Sequence, residues 1–322
     1  MTTPLNTQLA DWLDKLNRIT RQQRSAGSVP TPISAREGLA NMTSTLVTRK
    51  PVLPWIADAL VQGDDYAVPV RIYDPDPSIA KPVCIYIHGG GHIAGGVSVY
   101  DPICRKLAAS SHQLVVSIEY RLAPECPYPS GLNDCRTVVM HLWDTLDRLQ
   151  RHVLQELTVV GDSGGGALTA TLSAQLQDAP ERLIDRQILI YPNLDYTLKH
   201  ASIDNLAEGY MLEKRRIEWY YELYFQHHED RRALSPLNMP ITNRLPDTLI
   251  ITAGYCPLKD EAVAYLERLE AVGVTNQHVH FPDLLHAFLN MEDLIKDDCK
   301  HAYDAMARFM NSGKRTQTVL KG

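Results

Sequence analysis

A serine flanked by small residues stands where a strand turns sharply into a helix. The run Gly-Asp-Ser-Gly-Gly occupies positions 161–165. An apolar run at 157–160 precedes it, and an alanine- and leucine-rich stretch at 167–176 follows it. A nucleophile at such an apex needs this context because only small neighbours tolerate the strained turn. The following helix places its positive end beneath the reacting atom. The pattern predicts that Ser163 is presented as a nucleophile.

A second glycine run and a late histidine could complete such a site. His-Gly-Gly-Gly at 88–91 follows the apolar run 83–87, and His286 follows the last predicted strand. A serine hydroxyl is a poor nucleophile until a base such as histidine takes its proton. Glycines lack a Cβ, so their N–H groups can turn toward a developing oxyanion. A phosphate-binding loop is the alternative, but the sequence has no G-x-G-x-x-G and no P-loop lysine.

Strands alternate with helices through most of the chain. Apolar runs predict strands at 66–73, 83–87, 114–118, 157–160, 187–191, 247–253 and 277–281, and amphipathic stretches predict helices at 100–110, 132–149, 167–176, 260–271 and 292–310. A Gly-Asp-Asp turn at 63–65 indicates an antiparallel hairpin at the start. The alternation predicts an α/β fold, with a mostly parallel central sheet and helices on both faces. The polar tail at 315–322 is expected to fray.

Two segments fall outside this alternation. Residues 1–45 are predicted to form two helices separated by a break at 27–32. We expect them to belong to a helical cap, with a simple N-terminal packing element as the alternative. Residues 195–245 form a long insertion that carries an aromatic-rich amphipathic helix at 210–225. An insertion of this length between strands is usually functional. We therefore predict a catalytic domain at 46–322 with a cap insertion at about 195–245.

Composition argues against several other functions. The 322 residues carry a net charge of −6, which argues against nucleic-acid binding. No apolar run approaches the length of a membrane span, and residues 1–15 lack the apolar core of a signal peptide. The six cysteines form no C-x-x-C pair and are expected to be reduced thiols of a cytoplasmic protein. No cluster of His, Cys and Asp has metal-site spacing, so neither a metal nor a cofactor is expected.

Three stretches together resemble one family. His-Gly-Gly-Gly at 88–91, Gly-Asp-Ser-Gly-Gly at 161–165 and Leu-His-Ala-Phe at 285–288 are similar to motifs of the hormone-sensitive-lipase family of α/β-hydrolases, the bacterial esterases with an HGGG box. Tyr-Arg-Leu-Ala-Pro-Glu at 120–125 resembles that family's stretch between the two boxes. Residues 281–290 most resemble the acetyl-esterase branch.

The resemblance implies an α/β-hydrolase fold and a serine carboxylesterase. By the family's pattern Ser163 is the nucleophile and His286 its base, in the chain order serine, acid, histidine. The oxyanion donors would be the N–H groups of Gly90, Gly91 and Gly164. The substrate would be a small-molecule ester with a short, acetyl-like acyl chain, hydrolysed through an acyl-enzyme without a cofactor. Relatives often dimerise, which leaves a homodimer open.

The acid of this pattern is replaced by a cysteine. The family carries the acid in an Asp-Pro-Leu motif, but residues 256–258 read Cys-Pro-Leu. A neutral thiol is a weak acceptor and carries no charge, so we expect impaired activity. Three rescues stay open: a Cys256 thiolate paired with an imidazolium, substitution by Asp260, or approach of Asp195 or Asp283 from another side. The sequence does not distinguish whether Cys256 replaced an aspartate by natural drift or by engineering.

Two further interpretations use the same residues. A catalytically weak or inactive protein of this fold could bind a small ligand under the cap. Cys256 favours that interpretation, whereas the retention of Ser163 and His286 argues against it. Transfer of the acyl group to an alcohol instead of water would need the same machinery. Fold alone does not decide between these functions, so the group that contacts His286 Nδ1 is the informative observation.

Overall fold

The structure is a computed structural model that describes residues 3–64 and 66–312. The predicted polar tail at 315–322 lies outside these residues. Within them, two helices precede the first strand, and strands then alternate with helices in the predicted order.

Two capped helices form the N-terminal segment, as predicted. Helix α1 spans Thr7–Ser25 and helix α2 spans Pro32–Leu46. The Thr31 side chain accepts from the Ser34 N–H, and the Thr31 N–H donates to Ser34 Oγ, so both donors are satisfied at the start of α2. Leucines at positions 9 and 13 of α1 are buried one turn apart. Helix α1 therefore packs on the body through one face.

Within the described residues eight strands form one sheet: β1 (Trp55–Val61), β2 (Val68–Asp74), β3 (Lys81–Ile87), β4 (Leu114–Ile118), β5 (Val153–Asp162), β6 (Arg186–Ile190), β7 (Asp247–Tyr255) and β8 (Asn276–Leu285). Their spatial order is β1-β2-β4-β3-β5-β6-β7-β8. β2 pairs antiparallel with β1 and β4, and the other neighbours pair parallel. The predicted hairpin and mostly parallel sheet are confirmed. The carboxyl ends of the parallel strands share one edge, where such sheets bind ligands.

Helices cover both faces of this sheet. They are α3 (Val97–Ser111), α4 (Ser130–Arg148), α5 (Gly164–Leu176), α9 (Lys259–Ala271) and α10 (Lys296–Asn311). The insertion between β6 and β7 carries α6 (Ala201–Asn205), α7 (Lys214–Tyr224) and α8 (Arg231–Leu234). α3 and α10 share one apolar cluster with the sheet, whereas α4, α5 and α9 bury apolar residues in two other clusters. None of the helices in the described ranges has the length and apolarity needed to cross a membrane.

The insertion between β6 and β7 contacts the N-terminal helices. Asn17 Nδ2 donates to the carbonyl of Gly209 at 2.9 Å, and Arg24 forms an ion pair with Glu213. Both contacts join α1 to the turn that precedes α7. The two segments that the sequence assigns to a cap therefore lie against each other.

Two helices begin later than their sequence patterns predict. Helix α7 begins at Lys214 and not at 210, because Gly209 and Met211 have φ values of 84° and 66°, which a right-handed helix cannot include. The last helix begins at Lys296 and not at 292, because Phe288–Leu294 forms a 3₁₀ segment that is irregular at Met291. In both cases turn geometry overrides helical periodicity.

Candidate active site

The turn between β5 and α5 holds Ser163 in a strained conformation. Ser163 has φ 53° and ψ −118°, and its N–H donates to the carbonyl of Ile190 at 2.9 Å. A Cβ at Gly161 would lie 2.2 Å from the carbonyl oxygen of Gly165, and a Cβ at Gly165 would lie 2.0 Å from that of Ile87. Both positions therefore require glycine for α5 to approach the sheet. The predicted strand, sharp turn and helix are present.

The structure brings Ser163 and His286 together. His286 Nε2 lies 2.9 Å from Ser163 Oγ, although 123 residues separate them in the chain. His286 follows the last residue of β8 and is only 4% exposed. The edge of the Tyr191 ring packs on the imidazole, with the ring centroids 4.9 Å apart. Because Nε2 faces Ser163 Oγ, Nδ1 is the ring nitrogen that still needs a hydrogen-bond partner.

Cys256 is the partner of that second nitrogen. Its Sγ lies 3.1 Å from His286 Nδ1, and its side chain is buried just beyond the end of β7. The parallel pairing of β7 with β8 places the two residues side by side. The thiol thus occupies the position in which a carboxylate would orient the base.

The three alternative carboxylates lie elsewhere. Asp260 Oδ2 accepts from the Ser202 N–H at 2.8 Å, and Asp195 accepts hydrogen bonds within its own loop. Among the hydrogen bonds and ion pairs of the described residues, neither of these carboxylates nor that of Asp283 contacts His286. The expectation that one of them could reach the imidazole is therefore not met in this structure.

Burial favours the neutral forms of the thiol and the imidazole. Desolvation lowers the pKa of His286 to about 3, and desolvation raises the pKa of the Cys256 thiol above its ordinary value. Both shifts disfavour the charged form, which argues against a thiolate–imidazolium pair.

The glycine loop after β3 lies against the elbow. Gly90 and Gly91 have φ values of 116° and 63°, which glycine adopts without strain. A Cβ on Gly164 would lie 3.3 Å from the backbone nitrogens of both Gly91 and His92. The N–H groups of Gly90, Gly91 and Gly164 donate to no acceptor among the described residues. They are available to a ligand beside Ser163.

Asp162, which sequence reasoning did not single out, anchors this loop. Its Oδ1 accepts from the Gly89 N–H at 2.8 Å and from the Tyr86 hydroxyl at 3.0 Å, and its Oδ2 accepts from the Tyr100 hydroxyl at 3.1 Å. Burial raises the pKa of Asp162 to about 6, against the effect of these hydrogen bonds. Its position inside the 161–165 motif, next to Ser163, is the sequence signal that could have identified it.

Asn193 connects the elbow to α7 and to α9. Its N–H donates to the Ser163 carbonyl at 3.1 Å, and its Nδ2 donates to the Tyr221 hydroxyl at 2.5 Å and to Glu261 Oε1 at 3.2 Å. Glu261 is fully buried, and burial raises its pKa well above the ordinary value. No local sequence pattern could have found this link, because its partners lie far apart in the chain.

Helix α7 covers the glycine loop. A Cβ on Gly91 would lie 2.3 Å from the ring of Tyr220, so that ring rests directly on the loop. His92, the residue after the glycine run, is buried and stacks on Tyr224 with the ring centroids 3.9 Å apart. Helix α7 therefore bounds the space beside the glycine loop.

Metal ligands are not grouped at this site. Across residues 3–64 and 66–312, no set of three or more His, Cys, Asp or Glu side chains could hold a metal ion.

These features define an α/β-hydrolase. A family model described as alpha/beta hydrolase fold matches residues 84–290. An ethyl acetate hydrolase from Pseudomonas putida is 33% identical over 306 residues, which cover 91% of this chain and 94% of that protein. An arylesterase from Saccharolobus solfataricus is 30% identical over 235 residues, which cover 72% of this chain and 76% of that protein.

A solved structure supports the same conclusion. The hyperthermophilic esterase from the archaeon Pyrobaculum calidifontis superimposes with a TM-score of 0.86 at 28% identity, over 96% of this chain and 99% of that one. The chain belongs to the hormone-sensitive-lipase-like family of α/β-hydrolases. Relatives of the chain are named ethyl acetate hydrolase and carboxylic ester hydrolase. The resemblance carried by the three motifs is confirmed.

Proposed function

We propose that this protein is a serine carboxylesterase that hydrolyses short-chain, acetyl-like esters through an acyl-enzyme, with activity limited by Cys256. The line of contacts from Ser163 through His286 to Cys256, at 2.9 and 3.1 Å, carries the proposal. The unpartnered N–H groups of Gly90, Gly91 and Gly164 beside it support it.

The reaction follows from these positions. His286 Nε2 takes the Ser163 hydroxyl proton as Oγ attacks the ester carbonyl carbon. The oxyanion accepts from the three N–H groups, each of which is worth about 2.7–4 kcal/mol of barrier. The imidazolium then gives its proton to the leaving alkoxide, and the acyl group stays on Oγ. Water, deprotonated by His286, attacks the acyl-enzyme and releases the carboxylic acid.

Cys256 supports this cycle poorly. When Nδ1–H donates to Sγ, Nε2 is left as the acceptor that Ser163 needs. A thiol can also donate its own proton to Nδ1, which puts the imidazole proton on Nε2 and blocks proton transfer. The thiol carries no charge that would stabilise the imidazolium. Loss of the acid costs ~10⁴ in kcat in serine proteases, or about 5.4 kcal/mol of barrier.

The ethyl acetate hydrolase among the relatives supports a short acyl group. The ring of Tyr220 on Gly91 limits the space beside the oxyanion donors, which also favours a small substituent. We assign residues 1–45 and about 195–245 to one cap over this space. All six cysteines are free thiols, which supports a reducing, cytoplasmic location. A homodimer is proposed from the resemblance only, and light scattering tests it.

The uncharged Cys256 favours a second candidate, a weak or inactive hydrolase that retains a small ligand under the cap. Labelling by a fluorophosphonate separates the two. An esterase labels stoichiometrically at Ser163 and gives a burst of alcohol with an activated ester, whereas a binding protein does neither. Product analysis in the presence of a small alcohol distinguishes hydrolysis from acyl transfer.

Substitution at the acid position tests the mechanism. Ser163→Ala is expected to abolish hydrolysis of a short-chain aryl ester. Cys256→Asp is expected to raise kcat by about 10²- to 10⁴-fold because a carboxylate orients and charges the base. Cys256→Ser is the matched control, since a neutral hydroxyl should give no such gain. A fall in rate for Cys256→Asp would show that the thiol has a native role.

A further inference from the structure

Two histidine nitrogens converge on one hydroxyl near the edge of the sheet. His278 Nε2 lies 2.7 Å from Thr252 Oγ1, and His280 Nδ1 lies 2.8 Å from the same oxygen. The histidines alternate along β8 and therefore point to the same face. Thr252 lies on β7 in register with His280. Three potential ligand atoms from two strands thus meet at one point.

This point can be reached from solvent. β8 is an edge strand, and His278 and His280 are both exposed, whereas Thr252 is buried beneath them. The threonine hydroxyl has a single proton, so it can donate to only one of the two imidazoles. The other imidazole has to donate its own N–H. The two contacts are therefore hydrogen bonds, which an ion bound at this point would replace.

Both imidazoles favour the neutral form, which can bind a metal once its hydrogen bond to Thr252 is given up. Both side chains keep exposed surface, but partial desolvation of the rings is the main cause that lowers the pKa of each, with a smaller effect of His280 on His278 and of Lys259 on His280. Metal ligation requires a neutral imidazole with a free lone pair. Lys259 is the nearby cation, and its Nζ donates to the carbonyl of Gly254 at 3.0 Å.

We propose that His278, His280 and the Thr252 hydroxyl form a binding site for one divalent transition-metal ion of the zinc type. Imidazole nitrogen is a preferred ligand of Zn²⁺, and a tetrahedral ion takes both nitrogens, the hydroxyl and one water. The site has fewer than three His, Cys, Asp or Glu side chains, so its Kd is expected on the order of 10 μM, weaker than a four-ligand centre. The proposal is independent of the esterase activity.

The ion would clamp the two strands that lead to the candidate active site. β7 runs on to Cys256 and β8 runs on to His286, four and six residues beyond Thr252 and His280 respectively. The pairing of β7 with β8 shifts register between Ala253 and Tyr255. A metal bridge just before that irregularity stabilises the pairing. Bound zinc should therefore raise the unfolding temperature of the full chain.

Calorimetric titration of Zn²⁺ into the chelator-treated full-length protein tests the assignment. We expect one ion per chain, a Kd weakened at least about tenfold by either His278→Gln or His280→Gln, and no binding by the double variant. Thr252→Val should weaken binding less. The double variant His227→Gln and His228→Gln, an exposed pair in another loop, is the matched control and should bind like wild type.

Two outcomes would overturn the site. One is the absence of saturable binding below about 1 mM; the other is binding that survives in the His278/His280 double variant. Zinc that binds instead between Cys256 and His286 would be lost in Cys256→Ser and kept in that double variant. Circular dichroism shows whether each variant is folded. A zinc-dependent rise in unfolding temperature, present in wild type and absent in the folded double variant, gives the second measurement.

Discussion

A buried base without a charged partner should work at unusually low pH. The pKa of His286 is lowered to about 3 by burial, so the imidazole stays neutral, and able to accept a proton, throughout the range above that value. A carboxylate at position 256 would stabilise the imidazolium and raise this pKa. The same substitution that speeds the reaction should therefore make it more sensitive to acid.

The prediction concerns the acid limb of the pH–rate profile. We expect the acid limb of kcat/KM for Cys256→Asp to lie at higher pH than the acid limb for wild type. The rates are measured from pH 4 to 8 with a short-chain aryl ester. Cys256→Ser, which adds no charge, should keep the wild-type limb. Coincident limbs for wild type and Cys256→Asp would mean that another group governs the acid side.

Asp162 should make stability depend on pH. The pKa of Asp162 is raised to about 6 in the fold, against 3.8 when unperturbed, so the fold favours the protonated carboxyl. Its contribution to stability is complete below pH 4 and is lost as the pH rises through about 6, a change of up to about 3 kcal/mol. In Asp162→Asn the amide cannot ionise, and this loss should disappear.

Urea unfolding at pH 4.5 and pH 8 checks this prediction. The free energy of unfolding of wild type relative to Asp162→Asn should be lower at pH 8 than at pH 4.5. Other carboxyl groups titrate in both proteins and cancel in the comparison. A difference that does not change with pH would contradict the assignment of a raised pKa to Asp162.

At the scale of elements, α2 holds the glycine loop through one side chain. Arg36 Nε donates to the carbonyl of Ile93 at 2.8 Å, and its guanidinium also donates to the carbonyl of Ala123 at 3.0 Å. The Ile93 N–H in turn donates to the carbonyl of Gly90 at 3.2 Å. An N-terminal helix thereby fixes a loop that is proposed to bind the oxyanion.

Loss of this tie should affect catalysis more than stability. Arg36→Gln is expected to lower kcat by about 10- to 100-fold, because small misplacements of reacting groups are costly. Glu125 forms the exposed ion pair with the same guanidinium, and such pairs contribute about 0–1 kcal/mol. Glu125→Gln is therefore the control and should leave kcat unchanged. Steady-state kinetics of both variants test this prediction. Equal losses of kcat in Arg36→Gln and Glu125→Gln would refute a role for the carbonyl contacts.

The same elements show what a sequence can and cannot predict. β3 and β4 were predicted because their apolar runs are continuous, which is typical of strands covered on both faces. β1 was not delimited, because its residues are mostly half-buried or exposed and give no clear pattern. The contact of Ser163 with His286 follows from motifs, whereas the carbonyl contacts of Arg36 depend on how distant segments pack. Pattern predicts elements, and tertiary packing selects the residues that hold the site.

At the scale of the whole molecule, the segments proposed to form a cap share one apolar core with the body. Leu9 and Leu13 of α1, Tyr221 of α7 and the buried Cys256 belong to the same cluster as residues of α3 and α10. A cap joined in this way has little apolar surface of its own to bury. We therefore expect the cap and the body to unfold in one cooperative transition.

The four tryptophans allow that expectation to be measured, because Trp12 and Trp219 lie in the cap and Trp55 and Trp143 lie in the body. Replacing the body pair by phenylalanine leaves only cap reporters, and replacing the cap pair leaves only body reporters. In each double variant the fluorescence midpoint in urea should coincide with the far-ultraviolet dichroism midpoint of the same variant. Because both midpoints come from one variant, the effect of the substitutions on stability cancels. A cap signal that changes at lower urea than the dichroism would instead show that the cap opens separately. Substrate access would then be controlled by local unfolding of the cap.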